Sequence, residues 1–107
     1  MSEIREFKES PFYQGSDEQI AYVLTVPTSW GTATFASLSS VLYSDPDNTN
    51  TDVTSTSLSG STTASSQVIT TPLVKSLTAG TKYRLEVKWT SSESNVLEAY
   101  AFIFAQR

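Results

Sequence analysis

The sequence predicts an all-β fold in which two antiparallel sheets, with about seven strands in total, pack face to face as a sandwich. Three observations support this prediction. Serine and threonine supply roughly 30% of the chain, and they favour strands and turns. Short segments of alternating apolar and polar residues recur, separated by turn-forming residues at intervals of about 8 to 12 residues. No segment repeats its apolar residues at the helical period.

Length and composition narrow the possible classes of function. A chain of 107 residues suits one core, so we expect residues 1–107 to form a single domain. The net charge of −4 argues against a nucleic-acid partner, because nucleic acids attract basic surfaces. The chain has no histidine and no cysteine, so it lacks the commonest general base and any disulfide. We therefore expect a protein without catalytic activity or a cofactor.

Two further features bear on location. No apolar run approaches the roughly 20 residues that cross a bilayer, so we expect no membrane partner. The charged opening around Glu3 and Arg5 lacks the apolar stretch of a signal peptide. Both features are typical of a protein made in a bacterial cytoplasm.

The first half of the chain is predicted to contain four strand regions. They cover residues 4–8, 20–26, 38–44 and 51–58, the last as one or two short edge strands. Pro11 and Pro27 end the first two regions, since proline lacks the N–H that a ladder needs. Residues 28–36 are predicted to form a loop around Trp30, and residues 45–48 a turn.

The second half is predicted to contain three strands, at residues 67–73, 83–89 and 96–105, with a hairpin turn at residues 91–95. The last strand is apolar on both faces, one lined by Tyr100, Phe102 and Phe104 and the other by Leu97, Ala99, Ala101 and Ile103. One face of such a strand usually meets water, so two explanations are open. Either an N-terminal strand or loop covers one face, or the face that begins at Leu97, or the opposite face, is a subunit interface.

A short motif indicates the type of sandwich. The pattern Leu77-x-x-Gly80-x-x-Tyr83-x-Leu85-x-Val87 resembles the turn and following strand of immunoglobulin-like and fibronectin-type-III domains. The resemblance implies that Tyr83 closes a tyrosine corner by bonding its hydroxyl to nearby backbone, with Leu77 buried beneath the turn at Gly80. The chain lacks the cysteine pair and the third-strand tryptophan of antibody domains, so the resemblance extends only to the wider superfamily.

The chain as a whole also resembles small immunoglobulin-like proteins encoded among the structural genes of tailed bacteriophages and prophages. Four segments carry this resemblance: residues 4–8, residues 22–25, Trp30-Gly31 and residues 83–87. The resemblance implies a virion or tail-associated role, with other virion proteins as partners and self-association as an option. The protein would then be found in the virion, or in the host cytoplasm during assembly.

Two groups of residues are candidates for binding. Asp45, Asp47 and Asp52 offer the oxygen ligands that Ca²⁺ prefers, but their spacing does not match an EF-hand, and a turn with Asx hydrogen bonds is the alternative. Trp30, Phe12 and Tyr13 lie in predicted loops or turns, where aromatic rings can anchor a protein partner or stack on sugars. For Trp30 the alternative is a ring folded back over one end of the core.

The sequence therefore favours a non-catalytic structural or adaptor protein of a phage particle. The alternative is a carbohydrate-binding module or host-surface adhesin that uses the loop aromatics. A serine nucleophile is not expected, because no histidine is present to activate it and no G-x-S-x-G elbow occurs.

Overall fold

The structure, a computed structural model, describes residues 5–30, 36–91 and 94–106. The predicted strand residue Ile4, the motif residue Gly31 and residues 92–93 of the predicted hairpin turn lie outside this part of the chain. The described residues form an all-β, sandwich-like architecture of two sheets, as the sequence predicts. In chain order the strands are β1 (Arg5–Glu6), β2 (Phe12–Gly15), β3 (Ile20–Thr25), β4 (Ala36–Ser44), β5 (Thr51–Asp52), β6 (Leu58–Ser59), β7 (Thr63–Ser65), β8 (Val68–Val74), β9 (Lys82–Thr90) and β10 (Val96–Gln106).

The larger sheet has the order β1-β10-β9-β4-β5, and β2 also pairs with β10. β9 and β10 form a long antiparallel hairpin, while β1 and β2 run parallel to β10. The parallel pairs correct the expectation of purely antiparallel sheets. They arise because the N-terminal segment runs along β10 in the same direction before the chain crosses to β3 in the other sheet.

The smaller sheet has the order β3-β8-β6, and β7 also pairs with β8. Pro72 lies inside β8, although the sequence predicts it near the end of a strand. At this point the register with β3 shifts between Ala21 and Val23, and the Tyr22 N–H donates to Thr71 Oγ1 at 2.9 Å. The threonine hydroxyl thus replaces a ladder acceptor, and the irregularity accommodates a residue without an N–H.

The strand count among the described residues is ten rather than about seven. The extra strands are short: β2 lies beyond Pro11 and thus outside the predicted strand at residues 4–8, and residues 51–65 form β5, β6 and β7. Two helical segments also occur, a 3₁₀ turn at Thr28–Trp30 and an α-helix at Thr54–Ser57. No helix within the described ranges is long and apolar enough to cross a membrane.

The core lies between the sheets and takes the alternate side chains of each long strand. β3 and β8 contribute from one side, and β4, β9 and β10 from the other. Its fully buried members include Leu24, Ile69, Val74, Leu42, Leu85, Val87, Trp89 and Ile103. With no disulfide in the chain, burial of these side chains supplies the main stabilisation, about 25 cal/mol for each Å² of apolar surface removed from water.

The N-terminal segment runs beside β10 and also contacts β3 of the other sheet. Between β1 and β2, the Phe102 N–H of β10 donates to the Ser10 hydroxyl at 2.9 Å, and this hydroxyl donates to Glu6 at 2.7 Å. Glu9 points to the other sheet, where each of its carboxylate oxygens lies 3.2 Å from the Thr25 nitrogen of β3. Residues 6–10 therefore bond to both sheets.

A buried amide strengthens this connection. Gln14 of β2 is fully buried, and its Nε2 donates to the Val74 carbonyl at 2.7 Å and to the Glu18 carbonyl at 2.9 Å. The Tyr22 hydroxyl of β3 donates to Gln14 Oε1 at 2.6 Å. Burial and, to a smaller extent, the nearby Glu18 carboxylate raise the pKa of Tyr22 to about 12. One side chain thus joins β2 of the larger sheet to β3 and β8 of the smaller sheet.

Candidate functional site

Aromatic and cationic side chains form two rows across the outward face of the larger sheet. In the first row Tyr13 of β2 is opposite Phe104 of β10, which is opposite Lys82 of β9. In the second row Phe102 of β10 is opposite Arg84 of β9, which is opposite Tyr43 of β4. We call this surface the aromatic face, defined by Tyr13, Tyr43, Lys82, Arg84, Tyr100, Phe102 and Phe104.

The alternation of β10 decides which of its residues reach the aromatic face. Ala99, Ala101 and Ile103 are fully buried and point into the core, and Leu97 packs against the core at the end of the strand. The expectation that these four residues form a subunit interface is therefore corrected, because they fill the interior of one molecule. The opposite side chains, Tyr100, Phe102 and Phe104, are only half-buried and remain available for contact.

Tyr13 is the most exposed ring of this surface. Its side chain is 62% exposed, and its ring stacks on Phe104 with centroids 5.5 Å apart and an interplanar angle of 23°. The two rings border an open groove of about 380 Å³. The groove is lined by Tyr13, Gly80, Thr81, Lys82, Phe104, Ala105 and Gln106.

Each cation of the aromatic face lies between a ring and a carboxylate. Lys82 Nζ is 4.3 Å from the centroid of the Phe102 ring and 3.0 Å from Asp47 Oδ2. The Arg84 guanidinium is 5.6 Å from the centroid of the Tyr43 ring, and its Nε is 2.8 Å from Glu86 Oε2. These ion pairs and ring contacts hold the long side chains against the sheet and limit the net charge of the surface.

The structure separates the three predicted anchors. Tyr13 points outward, whereas its neighbour Phe12 points inward and packs against Tyr22 with ring centroids 4.1 Å apart. Trp30 lies at the other end of the sandwich, beside Phe7 at 5.7 Å and Trp89 at 6.5 Å. Trp30 thus packs against the core, and only Tyr13 offers a largely exposed ring.

The three candidate Ca²⁺ ligands bind separate partners. Asp47 pairs with Lys82, and Asp45 Oδ1 accepts from the Asn48 amide at 3.1 Å. Asp52 Oδ1 accepts from the Thr54 N–H at 2.9 Å, and hydrogen bonds from the Thr54 side chain and backbone lower the pKa of Asp52. Within the described part of the chain, no group of three or more carboxylate, histidine or cysteine residues could hold a metal ion. The geometry is that of a turn with local hydrogen bonds.

The turn before β9 has the geometry expected of a tyrosine corner. The Thr78 N–H donates to the Tyr83 hydroxyl at 2.8 Å, five residues upstream, and Tyr83 is only 3% exposed. Leu77 is buried beside it, and Gly80 has a φ of +84°, a conformation that favours glycine. This corner fixes the start of β9, and with it the positions of Lys82 and Arg84.

No protein-family model matches the chain, and no curated protein or solved structure matches it either. The functional assignment therefore depends on the residues of the aromatic face. The sequence predicts Tyr13 and one face of the last strand as candidates for contact, but it does not predict that Lys82 and Arg84 lie beside these rings. The hairpin register of β9 and β10 was the available signal, because it places these cations beside Phe102 and Phe104.

Proposed function

We propose that this protein is a non-catalytic structural or adaptor module that binds another protein through its aromatic face. The observation that carries the proposal is the ring of Tyr13, 62% exposed and stacked on Phe104 at the border of an open groove. Tyrosine and arginine are the residues that most often anchor protein interfaces, because large rigid side chains bury much area at a low entropic cost.

The arrangement of charge supports a protein partner. The Lys82–Asp47 and Arg84–Glu86 pairs flank the rings, so a partner that covers the rings need not bury an unpaired charge. In such an interface Tyr13 and Phe104 would supply most of the binding energy. The flanking ion pairs would set the orientation of the partner.

We also propose that the sandwich is immunoglobulin-like and belongs to a phage virion or tail. The central strand orders β3-β8-β6 and β10-β9-β4, together with the Tyr83–Thr78 bond, support an immunoglobulin-like type. The parallel position of β1 and β2 beside β10 differs from the arrangement in which the first strand joins the β3 sheet. The phage role is supported by the resemblance described above, which is carried by residues 4–8, residues 22–25, Trp30-Gly31 and residues 83–87.

Pairwise binding to the purified products of neighbouring genes tests the protein-binding proposal. We expect at least one product to bind, and Tyr13→Ala to weaken that binding about tenfold or more, with the circular dichroism spectrum unchanged. Val96→Ala is the matched control: Val96 is 64% exposed but lies eight residues from Phe104 on β10, about 26 Å away. A strict monomer without affinity for any of these products would contradict the proposal.

A carbohydrate ligand is the second candidate, and one observation favours it. The exposed ring of Tyr13 shares its groove with the polar side chains of Thr81 and Lys82, a combination that suits stacking on a sugar. A glycan array probed with the wild type and with Tyr13→Ala separates the two candidates. If a glycan binds the wild type but not the variant, the ligand of the aromatic face is a carbohydrate and not a protein.

A further inference from the structure

The smaller sheet has an open edge at β3. β3 is the terminal strand in the order β3-β8-β6, and among the described strands it pairs only with β8. The N-terminal strands β1 and β2 could have covered this edge, but they pair with β10 instead. An open edge is a row of backbone donors and acceptors that another extended chain can bind.

The pairing with β8 shows which backbone groups point to the open side. Leu24 is paired with Ile69, and the Val26 N–H donates to the Gln67 carbonyl, so these residues bond towards β8. Val23 and Thr25 alternate with them and direct their N–H and C=O groups outward. Glu9 accepts the Thr25 N–H, and no other described residue hydrogen-bonds to this side of β3.

The middle of the edge lacks the features that normally prevent strand addition. β3 contains no charged residue and no proline. Val23 is 56% exposed. On the adjacent strand β8, Leu73 is 40% exposed and pairs with Ala21 of β3. A β-branched, uncharged and solvent-accessible edge is the type of surface that accepts an added strand.

Carboxylates at both ends of the edge decide which strand it accepts. Glu9 lies beside Thr25 at one end, and the exposed residues Asp17 and Glu18 precede Ile20 at the other, where the Glu18 carboxylate also accepts from the Gly15 N–H at 2.7 Å. A second copy paired antiparallel about Val23 would bring the Glu9 carboxylate of each molecule towards the Asp17–Glu18 turn of the other, and like charges would oppose the pairing. A chain with basic ends would instead gain an ion pair at each end.

We propose that the open edge of β3 binds an extended segment of another protein, about six residues long, with an apolar or β-branched centre and a basic residue at each end. The segment adds to the smaller sheet through the outward backbone groups of Val23. The outward backbone groups of β3 belong to the smaller sheet, whereas the aromatic face lies on the larger sheet. The two surfaces are neighbours, because Tyr13 lines one groove together with Asp17 and Glu18.

Binding of synthetic peptides, measured by fluorescence anisotropy, tests the proposal. The probe is a labelled six-residue peptide in which valine and threonine alternate between two terminal lysines. The first control peptide has glutamate in place of both lysines, and the second carries N-methyl groups on its backbone nitrogens. On the protein, Val23→Pro removes the outward donor at a position where an edge strand tolerates proline, and Val23→Thr keeps that donor.

We expect the lysine peptide to bind the wild type and Val23→Thr equally, and Val23→Pro at least about tenfold more weakly. The glutamate peptide should also bind about tenfold more weakly than the lysine peptide, and the N-methylated peptide should not bind. The N-methylated peptide tests backbone pairing even where Val23→Pro impairs folding. Tyr43→Ala, which removes a ring of the aromatic face on β4, should bind the lysine peptide like the wild type, and this result would separate the site from the aromatic face.

Three results would overturn the proposal. The first is no binding of the lysine peptide to the wild type up to about 1 mM. The second is equal binding of the lysine and glutamate peptides, which would remove the role of the flanking carboxylates. The third is a wild-type dimer in sedimentation velocity that Val23→Pro dissociates, which would make a second copy the occupant of the edge.

Discussion

Replacing Gln14 by leucine is expected to destabilise the protein by about 3 kcal/mol, because its side-chain amide joins three strands. Leucine has a similar volume, so the change leaves little cavity and acts mainly on hydrogen bonding. The Gln14 amide takes part in three hydrogen bonds, to Val74, Glu18 and Tyr22. At a net contribution of about 1 kcal/mol each, their loss is a large part of the 5–15 kcal/mol that typically stabilises a domain.

A double variant shows whether the loss has this origin. Tyr22→Phe removes the hydroxyl that donates to Gln14, so in Gln14→Leu/Tyr22→Phe no buried hydroxyl is left without a partner. We therefore expect the double variant to lose about 1 kcal/mol less than the sum of the two single losses. Urea denaturation followed by tryptophan fluorescence gives the free energies of unfolding. A single-variant loss below about 1 kcal/mol, or strictly additive losses, would refute the argument.

Three further outcomes are expected. Tyr83→Phe should lower the free energy of unfolding by about 1 kcal/mol and Tyr83→Ala by about 3 kcal/mol or more, and a loss below about 0.5 kcal/mol for alanine would contradict the tyrosine corner. Burial favours the neutral form of Tyr22, so the contribution of Tyr22 to the free energy of unfolding is complete below pH 10 and falls as the pH rises from 10 to about 12. Denaturation at several pH values should show this fall in the wild type and a smaller one in Tyr22→Phe, and identical profiles would contradict it. Trp30→Ala should destabilise the protein by about 2 kcal/mol through lost contact with Phe7 and Trp89, whereas unchanged stability with lost binding would restore Trp30 as an anchor.

The parts of the fold that depend on local patterns could be predicted from the sequence. Alternation over residues 83–89 and 96–105 predicts the two longest paired strands, which the structure places at Lys82–Thr90 and Val96–Gln106. Gly80 marks the turn before β9, because a φ of +84° is a conformation that glycine adopts more readily than other residues. In these segments local propensity and burial favour the same conformation.

The remaining features depend on contacts between distant residues. The parallel pairing of residues 5–15 with β10 brings together segments about 90 residues apart, and no local pattern specifies it. Pro72 lies inside β8 at an irregularity of the β3–β8 register, where Thr71 supplies an acceptor for Tyr22 across the sheet. For the candidate site, Phe12 and Tyr13 are chemically similar neighbours, and only the register with β10 decides which of them is exposed.

The parallel alignment of the first and last strands has a mechanical consequence. β1 and β2 share six register pairs with β10, and the segment enters beside Ala99 while β10 leaves beside Gly15. A tension applied between Arg5 and Gln106 pulls the two strands past each other along their length. Their hydrogen bonds then carry the load together instead of opening one after another. A molecule pulled at these two points therefore resists extension most strongly where β1 and β2 pair with β10.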